Sequence, residues 1–309
     1  MPQQVWVTSS LGGYLALPWL SRDLRHRSQP MQKFRQFCNV KEAFGKKRGA
    51  TAMWDKVSNI TTQGGTLNET NTIPRRNFTI TQGSVVITEY GNAIDYTFKL
   101  ETLAEYGVPE AVQKVLRNDM AKVLDSAAGA KFDTGDFVAQ CINTASTEFT
   151  VNATATTTAS TEISDKNWRD IVDYMKKALI PKYSGDDYVA INSVDSLRGL
   201  YDYLEATFAY TTREHMYSGE IGRYYSCRAV EETNYLHNTS GGGTLGQSIF
   251  FGDDCIWEAM AIPEEIRANV PADFGRDQAL AWYYLGGFEK IWDYSNDGEG
   301  HIVRVNIKI

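Results

Sequence analysis

Residues 49–97 are rich in Thr, Asn, Gly, Val and Ile and have almost no helical periodicity, which confines this stretch to strands and turns. Residues 53–60 and 77–88 alternate well enough to be strands, and Gln63-Gly64-Gly65 and residues 68–74 supply turn chemistry between them. The spacing predicts one long hairpin, with Arg75 and Arg76 exposed near its far end. A two-stranded ribbon has little core of its own and is marginal in water, so this one must lean on something else. Residues 90–100 read as a further strand, with Ile94, Tyr96 and Phe98 on one face.

The period then changes. Val108, Val112, Val115, Leu116, Met120, Val123, Leu124 and Ala127 follow helical spacing, Pro109 sits in the first turn and Gly129 is the expected stop. The polar face of this helix carries Lys114, Arg117, Lys122 and Asp125. Residues 137–160 return to threonine-rich strands, with a low-complexity surface loop over 152–161. A second lobe is expected from Ser164, where Ser164 or Asp165 caps a helix with Trp168, Ile171, Val172, Met175, Ala178 and Leu179 on its apolar face, ended by Pro181. A strand over 188–192 and a helix through Val194, Leu197, Leu200, Tyr201 and Leu204 follow. Later strands are expected over 223–231, 248–251, 256–261, 279–284, 288–294 and 301–309.

At 309 residues, 42% apolar and 22% charged, the chain is an ordinary folded protein of two linked lobes at roughly 150 residues per domain. No apolar run reaches the roughly 18 residues that span a bilayer, and residues 1–20 lack a secretory pattern, so an intracellular origin and no membrane partner are expected. Cys38, Cys141, Cys227 and Cys255 have no Cys-x-x-Cys spacing and are expected to be buried free thiols.

Charge is uneven. Residues 1–50 hold nine cations (Arg22, Arg25, Arg27, Lys33, Arg35, Lys41, Lys46, Lys47, Arg48) against Asp23 and Glu42, a balance of +7; with a chain total of −7, residues 51–309 carry −14. A basic arm on an acidic body fits contact between copies of the same chain through complementary fields, or a solvated tail; the cations are too dispersed for a strong nucleic-acid signature.

No catalytic pattern holds. Gly241, Gly243 and Gly246 have the Gly-x-Gly-x-x-Gly spacing but run into the strand-like Ser248-Ile249-Phe250-Phe251, not into a helix. Asp273-Phe274-Gly275 lacks the other kinase elements, the four histidines have no metal-ligand spacing, and the adjacent pairs Asp186-Asp187, Asp253-Asp254 and Glu264-Glu265 favour turns over a shared acid/base site. The expectation is a non-enzymatic protein with no cofactor and no metal.

One further segment looks like a signature without chemistry: Ser218-Gly-Glu-Ile-Gly-Arg-Tyr-Tyr-Ser-Cys-Arg-Ala-Val-Glu-Glu-Thr-Asn234, a tight turn feeding an exposed strand. This segment, together with Asp273-Phe274-Gly275-Arg276-Asp277-Gln278-Ala279-Leu280-Ala281-Trp282, Leu67-Asn68-Glu69 to Pro74 and Tyr90-Gly91-Asn92, resembles the major capsid proteins of tailed double-stranded DNA phages. The resemblance is to the N-four-type family with its HK-ninety-seven-like fold, and covers the chain from about Lys41 onward.

The resemblance implies an α+β fold divided into an N-terminal arm (1–45), an extended β-hairpin loop (46–85), a peripheral domain (86–163) with a spine helix about 108–128, an axial domain (164–263), and C-terminal strands (264–309) returning to the peripheral domain. It implies contacts between subunits through Arg22, Arg25, Arg27, Lys33 and Arg35 of the arm and through Lys56, Glu69, Arg75 and Arg76 of the loop, with Lys114, Arg117 and Lys122 on the polar face of the spine helix. The implied partners are further copies in hexamers and pentamers, a separate scaffolding protein, a portal protein, in some heads a decoration protein, and packaged double-stranded DNA bound non-specifically; the implied location is the virion, after assembly in the host cytoplasm. Two other readings stay open at this point: an encapsulin-like compartment shell, and a carbohydrate-active hydrolase using Trp and Tyr platforms with a carboxylate pair.

Overall fold

The computed structural model describes residues 29–30, 32–42, 49–58, 60, 64–70, 72–105, 107–151, 161–183, 185–208, 222–236, 245–270, 273–294 and 299–308. A single 3-10 turn at Arg35–Phe37 leads into β1 (Asn39–Glu42), and β2 (Thr51–Val57) and β3 (Ile80–Val86) form the predicted hairpin. Next come β4 (Thr88–Thr97), α1 (Phe98–Leu103), α2 (Val108–Phe132), β5 (Phe137–Asn143) and β6 (Ser146–Val151). The remainder comprises α3 (Asp165–Lys177), β7 (Tyr188–Asn192), α4 (Arg198–Phe208), β8 (Arg223–Tyr224), β9 (Cys227–Glu231), β10 (Leu245–Phe251), β11 (Ile256–Ala268), β12 (Asp277–Lys290) and β13 (Ile302–Lys308).

Apart from the hairpin there are two sheets, in the orders β1-β11-β12-β4 and β6-β5-β13-β10-β7-β9-β8. Helix α2 lies between them. Its buried side, Leu116, Leu124, Ala128 and Phe132, joins Leu280, Trp282 and Tyr284 of β12 to Ile191, Ile249 and Phe251 of the seven-stranded sheet in one core. The opposite face of that sheet is covered by α3, whose Trp168, Ile171, Val172 and Met175 pack on Phe250, Val303 and Val305. Ser164 caps α3, its Oγ accepting the N–H of Asn167 at 3.2 Å, as the sequence predicts.

Four local expectations are corrected. Gly129 does not end α2, which continues to Phe132; the position is buried and takes glycine because a Cβ there would lie 2.8 Å from Cγ of Tyr235 and 3.0 Å from Cδ2 of Phe34. Residues 279–284 and 288–294 are not separate strands, because Gly286 and Gly287 lie inside the single 14-residue strand β12. The strand expected over 223–231 folds back on itself at Tyr225 and Ser226, with φ of 46° and 58°. The strand expected over 90–100 stops at Thr97, because Thr97 Oγ1 accepts the N–H of Leu100 and caps helix α1 from Phe98 onward.

Strand pairing also crosses the expected domain boundaries. β5 and β6, expected in the peripheral domain, belong to the same sheet as β7, β9 and β10, expected in the axial domain. β11 continues through the boundary at 263/264 because it pairs along its length with β12. The last strand, β13, is inserted between β5 and β10 and is not in the four-stranded sheet.

Candidate assembly surfaces

The first described stretch of the arm is built into the body. Phe34 is fully buried, its ring 5.4 Å from Phe132 and 5.8 Å from Tyr235. Arg35 donates from Nη2 to Glu258 Oε1 at 2.8 Å and from Nη1 and Nη2 to the two oxygens of Glu264, each at 3.1 Å, and lies over the Tyr284 ring. Tyr284 Oη donates to the same Glu258 at 2.8 Å, so this buried carboxylate is fully engaged. The Arg35 bonds hold the Glu264 carboxyl below its ordinary range. Strand β1 then pairs in parallel with Trp257–Met260.

The signature segment completes this arrangement. Glu232 is buried and accepts the backbone N–H groups of Asn234, Tyr235 and Leu236. Asn234 Nδ2 reaches α2, donating to Lys122 O at 3.1 Å and Ser126 Oγ at 3.0 Å. Asp125, expected on the polar face of α2, is instead buried under this loop and accepts the N–H of Arg35 at 3.1 Å. Burial pushes its carboxyl upward, against the opposing pull of those donors. At the other end of the signature, Arg223 and Arg228 both pair with the buried carboxylate of Asp187. The segment therefore clamps the seven-stranded sheet to α2.

The hairpin leans on the body through one face of its paired strands. Ala52 and Val85 are buried beside Ala259 and Ile291, and Trp54 meets Trp257 edge-on at 4.7 Å. Val86 O approaches Gly287 so closely that a Cβ there would sit 2.2 Å from it. Lys56 belongs to the same inward face: it is 5% exposed, with its Nζ 6.0 Å from the centre of the Trp292 ring. Elsewhere on the ribbon and its connecting segment, Met53, Val57, Ile60, Leu67, Ile73, Phe78, Ile80 and Val86 each expose more than half of their surface. Glu69, Arg75 and Arg76 are exposed among them.

A second apolar knob ends the four-stranded sheet. The turn from β11 to β12 carries Asp273 and Phe274 at positive φ and leaves Phe274 and Val270 almost wholly exposed. Phe98, Leu100 and Leu103 of α1 are exposed too, and α1 is fastened to the turn by the N–H of Phe98 donating to Arg276 O at 3.0 Å. Together the ribbon and the knob hold most of the large exposed apolar side chains of the described residues. Such patches in a folded chain mark surfaces awaiting a partner.

No protein-family model and no curated protein matches the chain. Solved structures do. The capsid of the cyanophage P-SCSP1u superposes with a TM-score of 0.71 at 10% identity, over 97% of this chain and 95% of that one. The acidic stable capsid of the Helicobacter pylori bacteriophage KHP30 gives 0.71 at 11% identity, over 100% and 99%. The chain has a phage-capsid fold. The capsid of a native GTA particle also shares it, with a TM-score of 0.65 at 13% identity over the whole of both chains.

Within this phage-capsid fold the proposed contact residues fall into three groups. Arg22, Arg25 and Arg27 lie outside the described residues, and Lys33 is half-buried just before the anchored turn. Arg35 and Lys56, expected to reach neighbouring subunits, turn inward instead, because each finds a partner in its own chain: carboxylates for Arg35, an indole face for Lys56. Glu69, Arg75, Arg76, Lys114, Arg117 and Lys122 are exposed. Sequence reading missed the β11–β12 knob. Its signal in the sequence is Phe274 between Asp273 and Gly275, an aromatic residue among turn formers.

The catalytic readings find no support in this geometry. Gly246 lies in strand β10, and Gly241 and Gly243 are outside the described residues. Asp187, Glu264 and Glu265 are each paired with arginine. The four cysteines are free and buried, as expected from their spacing, and burial raises all four thiols. No helix of the described residues is long and apolar enough to cross a membrane.

Proposed function

We propose that this chain is the major capsid protein of a tailed double-stranded DNA phage, of the N-four type, and that it assembles non-enzymatically into the hexamers and pentamers of an icosahedral head. The observation that carries the reading is the ribbon β2–β3 with its connecting segment: eight exposed apolar side chains on an element that packs on its own body through one face of its strands, in a chain with a phage-capsid fold. An isolated subunit leaves that surface in water, whereas a neighbour under the ribbon would bury it. At roughly 25 cal/mol per Å² of apolar surface removed from water, the reward recurs at each position of a ring. Later contacts form at high effective concentration, so individually modest interfaces give a durable shell.

In this reading residues 46–85 act as the extended loop and the basic residues Arg22, Arg25 and Arg27 of the arm reach the acidic surface of a neighbour. Arg35 anchors the arm to its own subunit. A scaffolding protein directs closure in the host cytoplasm, a portal occupies one vertex, and the finished virion encloses double-stranded DNA. Electron microscopy of the chain co-expressed with scaffold candidates from its own gene cluster tests this. Closed shells are expected, with DNase-protected DNA in particles from infected cells. A chain that remains monomeric with every candidate would overturn the proposal, and particles filled with protein in place of DNA would favour the compartment reading.

A further inference from the structure

We propose that the place where α3 ends beside the β8–β9 turn is a docking surface for an acidic segment of a separate protein, one that sets an apolar side chain against Leu179 and Tyr225. The inference stands apart from the shell reading, since it concerns the single subunit. It starts from the backbone. Helix α3 closes in a Schellman turn, the N–H of Ile180 donating to Met175 O and that of Leu179 to Lys176 O, each at 3.1 Å. The left-handed position of such a turn favours glycine, yet Leu179 occupies it at a φ of 56° and leaves 87% of its surface exposed. A leucine there costs the fold both backbone strain and exposed apolar area, and it joins none of the buried cores. Strain and exposure kept together at one residue point to a contact made with another molecule.

Tyr225 repeats the combination beside it. Its φ is 46° and its surface 42% exposed, and the ring is fixed by the hydroxyl donating to Asp173 at 3.1 Å and by Lys176 Nζ, 4.3 Å from the ring centre. Tyr188 ties the two turns together, its N–H donating to Ser226 O and its hydroxyl to Ile180 O, each at 2.9 Å. The surroundings are cationic on a body that is otherwise acidic. Asp173 pairs with Lys176 and Asp186 with Lys182, whereas the one buried carboxylate of Asp187 is shared by Arg223 and Arg228. Both arginines reach Asp187 through Nε and keep 57% and 54% of their side chains exposed. Lys177 is exposed with no carboxylate partner among the described residues. Even with Asp253, whose N–H donates to Pro181 O at 3.0 Å, the cations of this surface outnumber its acids.

Charge and apolar content together select the occupant. The basic residues 1–50, with a balance of +7, would be repelled. A nucleic acid needs only the cations and gives Leu179 nothing to touch. An acidic segment with an apolar side chain uses both features, carboxylates for the lysines and arginines and an apolar group for the leucine and tyrosine. Because the backbone and the Asp173 bond fix both anchors before binding, little ordering cost falls on this side of the contact.

The test uses the full-length unassembled chain and a fluorescein-labelled ten-residue peptide in which Leu and Phe are flanked on both sides by Glu, followed by anisotropy at moderate salt. L179G removes the anchor and the strain at once, so its denaturation midpoint should equal or exceed that of wild type while its affinity for the peptide falls at least fivefold. K176Q/K177Q should weaken binding by a similar factor and flatten its salt dependence. A second peptide with Ser at the two apolar positions closes a double-mutant cycle: wild type should prefer the apolar peptide at least fivefold, and L179G should show no preference. Absence of binding, equal affinity of wild type for both peptides, or an affinity unchanged in L179G overturns the inference. Two further results overturn it by naming another occupant. One is a fluorescent DNA duplex bound more tightly than the peptide and indifferent to L179G. The other is self-association of the chain alone, read by sedimentation, that L179G abolishes.

Discussion

The guanidinium of Arg35 lies 2.8 Å from the buried carboxylate of Glu258, a residue 223 positions further along the chain. That pair closes the arm onto β11 and places Phe34 against Phe132 of α2. Arg35→Ala would strand Glu258 in the interior with only Tyr284 as donor. A loss of about 3 kcal/mol is expected in the denaturation midpoint of the subunit. A change below 1 kcal/mol would mean that water replaces the guanidinium without penalty.

Gly129→Ala puts two effects in opposition. Alanine gains about 1 kcal/mol of helix propensity over glycine. Its methyl must however displace the Tyr235 and Phe34 rings, which approach from outside the helix, and overpacking of this kind costs about 1–3 kcal/mol. A net destabilisation of about 1 kcal/mol is expected by urea denaturation; net stabilisation would show that the anchored turn yields easily.

The ribbon should separate folding from assembly. Replacing Ile73, Phe78 and Ile80 with Ser removes exposed side chains and should shift subunit stability by no more than about 0.5 kcal/mol per site. The same triple variant should fail to form shells under conditions where the wild type closes them, as read by sedimentation and microscopy. Normal shells from this variant would remove the role given to the ribbon.

Ser226→Gly addresses the β8–β9 turn, where two consecutive non-glycine residues take positive φ. Tyr225 has reasons to stay, its hydroxyl donating to Asp173 at 3.1 Å and its ring facing Lys176. Relieving Ser226 alone should stabilise the subunit by about 0.5–1 kcal/mol in thermal or chemical melts. An unchanged midpoint would show that the turn carries no strain.

His301 gives stability a pH dependence. Burial beside Trp292 lowers its pKa below the ordinary 6.5, although the hydrogen bond with Asp253 O and the nearby Asp253 and Asp254 partly oppose this. The unfolded chain then binds this proton more tightly than the folded one, so stability is full above about 6.5 and declines as pH falls below it. Asp125, Asp133 and Glu232 act in the opposite sense at lower pH, because burial raises their carboxyls. Comparing midpoints at pH 7.5 and 5.5 for wild type and His301→Gln isolates the histidine: the variant should lose less on acidification.

How far the sequence could be read depended on whether a feature was local. The helix at Val108–Phe132, the capped helix after Ser164 and the paired strands of the ribbon were legible because periodicity, caps and alternation are properties of neighbouring residues. The inward turn of Arg35 and Lys56 was not, since their partners Glu258, Glu264 and Trp292 lie over 200 residues away. Nor was the length of β12, whose Gly286-Gly287 pair reads as a break, but whose Gly286 leaves room for the Tyr284 hydroxyl and whose Gly287 admits the Val86 carbonyl. Among the surfaces proposed for assembly, the ribbon is legible because it lacks a core of its own, while the Phe274 knob depends on a turn between long strands that only the folded sheet reveals.

Strand β1 runs in parallel with β11, immediately after the Phe34 anchor. Tension on the chain upstream, as when a swelling container draws its members apart, would thus meet the ladder along its length and load its bonds together, with the Arg35 clasp taking strain at the same moment. A pull at the arm therefore reaches the two-sheet body only after that clasp and that ladder have given way together.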